Sequence, residues 1–314
     1  MLYHKEPVSL QINLSPSDFR IAKFILPHQL KALANQVDEI ILTVESKPSR
    51  GRFATGWTEN IANLKSLLTD IAETFEVKVI HVDYAEPKKR EIAQYFFNSA
   101  YIPEKDFRGG PFYAYFYGLY HCKNDLVFHL DADMFLGGNS SKWIAEAASL
   151  FNQYSNLLCV APLPGPPVEN EQLKGQHIIK KIDGVPFMYE LAGFSTRIFM
   201  LKKSLINRYK IKLTRPDLKD QLKAIIRGNP NADLPEHQLS DLMSKHQLTR
   251  IDFLGSGTGM WSLHPPYRNQ NFYEGLPDLI NRIEQNNLPE SQNGFYDIVD
   301  EVIDWSDVKE KLFK

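Results

Sequence analysis

The sequence is poor in cysteine, with only Cys122 and Cys159 among its 314 residues. A disulfide-stabilised secreted domain or a structural zinc site would need more cysteines than this. Residues 1–15 also lack the basic start and long apolar core of a secretory signal peptide. We therefore expect a protein of a reducing compartment, the cytoplasm.

Long apolar runs and a strong excess of one charge are also missing. No apolar run approaches the roughly 20 residues that a membrane-spanning helix requires. The formal net charge is −2, so no overall basic field attracts nucleic acid. We expect neither a transmembrane segment nor a nucleic-acid partner, while a peripheral contact with a membrane surface is left open.

The first half of the sequence alternates between apolar segments of strand length and segments of helical periodicity. Strands are predicted at 8–13, 39–44, 77–82, 126–130 and 157–162, and helices after Ser15-Pro16 and at 60–75, 87–97, 111–121 and 141–154. Such alternation predicts an α/β fold with a mixed, mainly parallel sheet flanked by helices.

The second half of the sequence reads differently. After a proline-rich loop at 162–167, antiparallel strands are predicted over 185–201, a helix over 235–246 and a strand over 250–254. From Pro277 onward a charged, mostly helical C-terminal tail is predicted.

The motif richest in chemical information is Asp131-Ala132-Asp133, which directly follows the apolar segment 126–130. Ligands of open α/β sheets bind at the carboxyl ends of the strands. Strand alternation places Asp131 and Asp133 on the same side, where two carboxylates repel each other unless a cation lies beside them. Carboxylate oxygens suit Mg²⁺ or Mn²⁺, which can also bind phosphate oxygens.

The surroundings of this motif resemble the central stretch of family-two-like GT-A glycosyltransferases. The resemblance rests on Gly109-Gly110-Pro111-Phe112-Tyr113-Ala114, on Gly118-Leu119 and on the segment LVFHLDADMFL at 126–136. It implies a GT-A catalytic domain over 1–270, divided into a nucleotide-sugar half at about 1–138 and an acceptor half at about 139–270. A helical extension would then cover 271–314.

The resemblance also implies roles on the donor side of the site. Asp133 would be the principal ligand of Mn²⁺ or Mg²⁺, and Asp131 would contact the ribose or, through water, the metal. Asn13 and Glu45, at strand ends, would face the nucleoside, where this family usually has other residues. Arg108 could pair with the diphosphate of the donor.

On the acceptor side, the resemblance places an acidic motif at Glu236-His237, where the family usually has Glu-Asp. Glu236 would be the general base that activates an acceptor hydroxyl. Asp241 and Asp233 are the local alternatives. Glu236 also has a purely structural explanation: it lies at a predicted helix N-terminus, where the helix dipole favours a glutamate.

A late histidine, His264, lies where several GT-A enzymes supply a further metal ligand. Tyr267 and Arg268 follow it and could reach phosphate. A flexible glycine-rich segment at 255–259 precedes them and would allow a loop to close over the donor.

Together these features predict a metal-dependent glycosyltransferase. It would move a sugar from a nucleoside diphosphate sugar, most often a UDP-sugar, to the hydroxyl of a sugar, lipid or small molecule. The resemblance implies inversion, with retention as an alternative. The rival functions are a haloacid-dehalogenase-like phosphatase, a sugar nucleotidyltransferase and a non-enzymatic sugar-nucleotide-binding protein.

Overall fold

The structure of the protein is a computed structural model that describes residues 6–49 and 55–312. Within this part of the chain eleven strands form one β-sheet. Numbered along the chain, they are β1 Val8–Leu14, β2 Glu39–Val44, β3 Lys78–His81, β4 Leu126–Asp131, β5 Phe135–Gly137, β6 Leu157–Pro164, β7 Ile178–Lys181, β8 Met188–Leu191, β9 Ile198–Lys202, β10 Thr249–Phe253 and β11 Trp261–Leu263.

Nine of these strands follow one another as hydrogen-bonded neighbours in the order β3-β2-β1-β4-β9-β6-β10-β8-β7, while the short β5 and β11 pair beside β6. The pairs β3–β2, β2–β1, β1–β4 and β6–β10 are parallel. β9 lies antiparallel between β4 and β6, and β8 lies antiparallel between β10 and β7. The sheet is therefore mixed and mainly parallel, as predicted.

Ten α-helices surround the sheet in the described residues. They are α1 Phe19–Leu33, α2 Trp57–Thr74, α3 Glu86–Phe97, α4 Tyr113–His121, α5 Trp143–Gln153, α6 Lys203–Tyr209, α7 Leu218–Arg227, α8 Pro235–His246, α9 Gln270–Glu284 and α10 Ser306–Leu312.

The helices cover both faces of the sheet because successive strand residues point to opposite sides. On β4, Phe128 joins a buried cluster with residues of α1, α2 and α5, whereas Val127 joins one with residues of α3, α4 and α8. Each face thus has its own apolar core, which explains why β4 is apolar along its whole length.

Several elements differ from the predicted ones. The strands β5, β7 and β11 and the helices α6 and α7 are not predicted from the sequence. β8 lies within the predicted antiparallel stretch 185–201 and β9 extends one residue beyond it, and both are antiparallel to their neighbours, as predicted. The start of the segment assessed for a signal peptide, 1–5, and the last two residues of the tail lie outside the described residues.

The C-terminal tail packs against the body of the protein. α9 contains Pro277 within it, and its Phe272, Leu276 and Ile283 are fully buried in a cluster that includes Ile25 of α1. Between α9 and residue 312 the helical elements are a short 3-10 turn and α10, so this part of the tail is less helical than predicted. None of the described helices combines the length and apolarity that crossing a bilayer demands. The predicted division into two halves and an extension stays a prediction.

Candidate functional site

The Asp131–Asp133 motif lies at the carboxyl edge of the sheet, next to the end of β1. Asn13 is the parallel-strand partner of Asp131 there. The buried side chain of Gln29 donates hydrogen bonds to the backbone oxygens of Asp131 at 2.9 Å and Met134 at 2.8 Å. This amide bridges the two ends of the turn, so that Asp133 is held in one position.

The two carboxylates of the motif differ in exposure. The side chain of Asp131 is 38% exposed, whereas that of Asp133 is only 11% exposed. Burial alone would raise the pKa of Asp133. The nearby Arg268, His264 and Arg197 outweigh that effect and lower its pKa below the ordinary value. Asp133 is therefore a buried carboxylate that stays ionised in a cationic environment.

Arg268 joins Asp133 to a second acidic residue at the same edge. Its Nη2 donates to Asp133 Oδ2 at 2.7 Å and its Nη1 to Asp18 Oδ1 at 3.1 Å. Burial, together with Asp133 and Asp131, raises the pKa of Asp18 despite the attraction of Arg268. The planar guanidinium spans the two carboxylates, as suits its fork of donors.

His264 is held rigidly beside this cluster. Its Nδ1 lies 3.0 Å from Asp297 Oδ1, and its ring stacks on Tyr296 at 5.8 Å between centroids. Backbone hydrogen bonds join His264 to Tyr296 and Ile298 of the tail. With a proton on Nδ1 donated to Asp297, the lone pair on Nε2 is left for a ligand.

A buried network of polar side chains on β1, β2 and β4 contacts Asp131. His129 is fully buried, with Nε2 at 3.4 Å from Asp131 Oδ1 and Nδ1 in contact with Gln11 Oε1. Gln11 Nε2 in turn donates to Asn13 Oδ1 at 2.6 Å and Thr43 Oγ1 at 3.0 Å. Because Asn13 already accepts this bond, its side chain is fixed at the end of β1.

The first residues of α8 bring Glu236 into the same region. Its Oε2 accepts a hydrogen bond from Thr196 Oγ1 at 3.3 Å, and the carboxylate is half-buried. Arg197 follows Thr196, and its backbone oxygen accepts from the Asp131 amide at 2.8 Å. Burial would lower the pKa of Arg197, but Tyr296, Asp133, Asp131 and Glu236 raise it. One guanidinium therefore lies in the electrostatic field of the motif and of the predicted base.

The alternatives to Glu236 lie in other surroundings. Asp233 accepts a hydrogen bond at its Oδ1 from the Leu234 amide at 2.8 Å, and the exposed His237 ring contacts the same oxygen at 2.9 Å. Asp241 is exposed on the outer side of α8. Glu236 differs from both in acting on Arg197, whose pKa it raises together with Asp133.

Glu45 lies at the end of β2 in a buried network. Its Oε2 accepts from Lys105 Nζ at 2.8 Å, its Oε1 from Tyr84 at 2.7 Å and from the Ser46 amide at 2.9 Å. Both carboxylate oxygens are thus engaged within the protein. A nucleoside could meet Glu45 only by replacing one of these donors.

The glycine pair before α4 belongs to a closed loop. Asp106 Oδ1 accepts from the backbone amides of Arg108 at 2.7 Å and Gly110 at 3.0 Å. Gly109 has a φ of +87°, and a Cβ at Gly110 would lie 2.8 Å from Asp106 Oδ2. Arg108 Nη2 lies 3.8 Å from Asp106 Oδ2, and its side chain is half exposed. The loop geometry explains both glycines.

Tyr267 stands apart from the acidic cluster. Its ring packs edge-on against Trp305 at 5.9 Å between centroids. Of the three late residues, His264 and Arg268 are those that influence the pKa of Asp133. The position of Tyr267 is that of a packing residue between β11 and the tail.

Metal-ligand geometry is not preformed in the described part of the chain. Across 6–49 and 55–312 no three His, Cys, Asp or Glu side chains stand close enough together to hold a metal ion. Asp131, Asp133 and His264 supply donor types that Mn²⁺ accepts, but Asp133 Oδ2 is bonded to Arg268. The assignment of these three residues as metal ligands stays a prediction.

The site includes residues that the sequence reasoning missed. Asp18, Gln29, His129, Arg197 and Asp297 all surround the motif. Asp18 could have been found, because it follows β1 just before a helix, where ligand-binding residues of α/β proteins cluster. His129 stands only two residues before Asp131, in the strand that carries the motif. Gln29, Arg197 and Asp297 come from distant parts of the chain, and no local pattern marks them.

The fold and the cluster define an α/β protein with a mixed acidic and basic site at the carboxyl edge of its sheet. No known family profile matches its sequence, and no curated protein matches it. Among solved structures it is similar to residues 1–349 of TarS from S. aureus, at 11% identity and a TM-score of 0.38. That match covers 81% of this chain and 60% of the other, so the chain spans less than two thirds of TarS 1–349.

Two further solved structures are similar at the same level. A UDP-glucose pyrophosphorylase complexed with UDP-glucose matches at 10% identity and a TM-score of 0.40, over 79% of this chain and 90% of its own. The mannosyltransferase PcManGT from Pyrobaculum calidifontis, in complex with GDP-Man and Mn²⁺, matches at 10% identity and a TM-score of 0.42, over 90% and 63%. Likenesses this distant assign neither a family nor an activity to the chain.

Proposed function

We propose that the protein is a glycosyltransferase that uses a nucleoside diphosphate sugar and a divalent cation. The proposal rests on one observation: Asp133, buried and ionised at the carboxyl end of β4, lies among Arg268, Arg197 and His264. A metal diphosphate carries both positive and negative charge. A site with carboxylates and guanidinium groups side by side offers partners for both.

The donor set of the site fits Mn²⁺ or Mg²⁺. Asp131 and Asp133 would hold the cation through carboxylate oxygens, and His264 would add Nε2, because Asp297 binds its Nδ1. The cation would supply neutralisation of the negative charge that develops on the departing diphosphate. Asp133 would first have to exchange its bond with Arg268 for one with the metal.

Arg268 and Arg197 are the side chains that would bind the diphosphate. Once released from Asp133, Arg268 retains the fork geometry that matches two phosphate oxygens. Arg197 is near enough to the motif and to Glu236 for their carboxylates to raise its pKa, so it would bind the leaving group near the reacting carbon. Arg108 is a further candidate because half of its side chain is free to solvent.

Glu236 is the proposed general base. It would take the proton of an acceptor hydroxyl while the acceptor oxygen bonds to the anomeric carbon. The bond from that carbon to the diphosphate breaks, and the nucleoside diphosphate leaves. Thr196 orients the carboxylate through its 3.3 Å hydrogen bond. Attack from the face opposite the diphosphate gives the inversion that the proposal expects.

The nucleoside would lie beyond Asp131, at the ends of β1 and β2. Asn13 of β1 and Asp131 of β4 are partners across that strand pair and would face the ribose. Glu45 stays a candidate for contact with the nucleobase. A UDP-sugar is the proposed donor, and a sugar, lipid or small molecule is the proposed acceptor.

A thermal-shift experiment with nucleoside diphosphates tests the proposal. UDP, GDP, ADP and CDP are each added with and without Mn²⁺ to the wild type, to Asp133→Ala and to the surface control Asp70→Ala. We expect one nucleotide to raise Tm by several degrees, because a ligand at about 100 times its Kd stabilises the folded state by about 2.7 kcal/mol. This shift should require Mn²⁺, persist in Asp70→Ala and vanish in Asp133→Ala.

Product analysis with the stabilising nucleotide's sugar then separates the possible reactions. Release of the nucleoside diphosphate supports a glycosyltransferase, whereas a nucleoside triphosphate formed from pyrophosphate supports a nucleotidyltransferase. Phosphate release from a simple monoester would favour the phosphatase. Binding with no turnover would favour the non-enzymatic protein. A Tm shift that survives in Asp133→Ala would refute the role given to this residue.

A further inference from the structure

α7 presents an apolar face to solvent. Its Leu218, Leu222, Ile225 and Ile226 are between 59% and 84% exposed, although they are the large apolar residues of a ten-residue helix. The one buried residue of α7 is Ala224. Apolar side chains so exposed and contiguous indicate a surface that another phase or molecule covers.

Helical geometry separates the apolar face from the rest of the protein. At about 100° per residue, the four exposed apolar side chains fall within an arc of about 100°. Ala224 lies about 150° from the centre of that arc by the same geometry. The apolar face is thus turned away from the body, and Ala224 is the residue of α7 that is buried against it.

Cations line one border of this apolar face. Lys219, Lys223 and Arg227 occupy the adjacent arc of about 80°, and all are exposed. Exposed Lys212 and Arg215 precede the helix. Asp217 caps the helix N-terminus through the Asp220 amide at 2.8 Å, and Asp220 accepts from Lys223 at 2.7 Å. Positive charge therefore predominates locally, although the whole chain is slightly acidic.

The base of this helical segment is fixed to the body. Asn229 Nδ2 donates to the Phe107 backbone oxygen at 3.1 Å, and the Phe107 amide donates to Ala232 at 2.8 Å. The Asp233 amide donates to Thr214 at 3.1 Å, which joins the two chain segments that flank α7. The residues on both sides of α7 are thus hydrogen-bonded to the body of the protein, which holds the helix in place.

We propose that α7 docks the protein onto an anionic membrane surface. Aliphatic side chains would enter the boundary between headgroups and acyl chains, while Lys219 and Lys223, the cations nearest to the apolar arc, would contact lipid phosphates and carboxylates. A second copy of the chain fits this surface less well. It would bring the same cations together, and four aliphatic side chains cover well under the roughly 800 Å² per partner of a stable interface.

Vesicle cosedimentation tests this proposal. Vesicles of phosphatidylcholine alone are compared with vesicles that also contain phosphatidylserine, at low and high salt. We expect the wild type to bind the anionic vesicles and to dissociate as salt screens the attraction. The double variant Leu222→Glu/Ile226→Glu should lose binding at least tenfold, and Lys219→Gln/Lys223→Gln should lose it about 25-fold, since each cation contributes about fivefold.

A matched control places the same charge on an exposed isoleucine elsewhere. Ile61 on α2 is 50% exposed, and Ile61→Glu should bind the vesicles like the wild type. Circular dichroism checks that all variants are folded. The proposal is overturned if wild type ignores anionic vesicles, or if Leu222→Glu/Ile226→Glu binds them unchanged. Sedimentation showing a dimer that this variant dissociates would assign α7 to self-association instead.

Discussion

Arg268 connects two acidic groups of the candidate site, the buried Asp133 and the partly exposed Asp18. It bonds to Asp133 at 2.7 Å and to Asp18 at 3.1 Å, which places a fixed positive charge where a divalent cation would lie. The neighbouring acids raise its pKa although burial would lower it, so the guanidinium stays charged. In the proposed function, the same side chain competes with the metal for Asp133 and then binds the diphosphate.

Removing this guanidinium should separate its two roles. In Arg268→Ala we expect Mn²⁺ alone to bind about tenfold more tightly, because Asp133 has lost its competing partner. Donor turnover should fall, since a phosphate ligand is missing. Isothermal titration with Mn²⁺ and a donor-cleavage assay measure the two effects, with Arg208→Ala as the exposed control. Weaker Mn²⁺ binding in Arg268→Ala would contradict competition.

Two helices that are distant in sequence meet beside the motif, and a histidine joins them. His28 of α1 is buried, its Nδ1 lies 3.0 Å from Glu284 Oε1 of α9, and its Nε2 accepts from the Leu136 amide at 3.2 Å. Burial lowers the pKa of His28 from its ordinary value of 6.5, and this outweighs the attraction of Glu284. The imidazole is therefore neutral in the folded protein at neutral pH.

The burial of His28 predicts a loss of stability in mild acid. Below pH 6.5 the unfolded chain binds a proton at His28 that the folded protein does not, so the free energy of unfolding decreases as pH falls. Urea denaturation measures the free energy of unfolding of the wild type and of His28→Gln. The difference between these two free energies should be about 1 kcal/mol smaller at pH 5 than at pH 7. The exposed His81→Gln should follow the wild type at both pH values. Parallel pH profiles for His28→Gln and wild type would contradict the assignment.

Close packing of α4 against β1 and β2 explains Gly118, one of the glycines on which the family resemblance rests. A Cβ at Gly118 of α4 would lie 2.3 Å from Gln11 Nε2 and 2.6 Å from Thr43 Oγ1. Only glycine lets α4 approach β1 and β2 while Gln11 keeps its contact with His129. The glycine is thus required by the polar network beneath Asp131.

At the scale of the whole molecule, the C-terminal tail completes the core. Phe272, Leu276, Ile283 and Trp305 are buried in one cluster with Ile25 of α1. His264 also depends on the tail, because Tyr296 and Asp297 hold its ring. We therefore expect residues 271–314 to fold together with the remainder of the chain.

A pair of truncations tests this dependence. A chain ending at residue 269 loses several large buried side chains, each worth about 1.5–3 kcal/mol, which approaches the 5–15 kcal/mol stability of a typical domain. We expect it to be insoluble or to lack a cooperative unfolding transition. A chain ending at Trp305 loses α10, none of whose residues is buried, and the two residues that follow it, and should unfold like the full chain. A stable, cooperative chain ending at 269 would indicate a separable extension.

Local sequence alone determined the α/β class, the strand that precedes Asp131 and the position of that motif at the sheet's edge. These follow from short-range periodicity and from the rule that parallel strands present ligands at their carboxyl ends. Through a family resemblance, the sequence also predicts Glu236, His264 and Arg268 as site residues.

Tertiary structure alone decided which of these groups meet. Local patterns do not show that Arg268 bridges Asp18 and Asp133, or that Asp297 holds His264, because these residues are far apart in sequence. Likewise, the amphipathic pattern of α7 would suit a buried helix. Only the packing of Ala224 inward reveals that its apolar face is left to solvent. Charge and burial depend on long-range neighbours, which a local pattern does not specify.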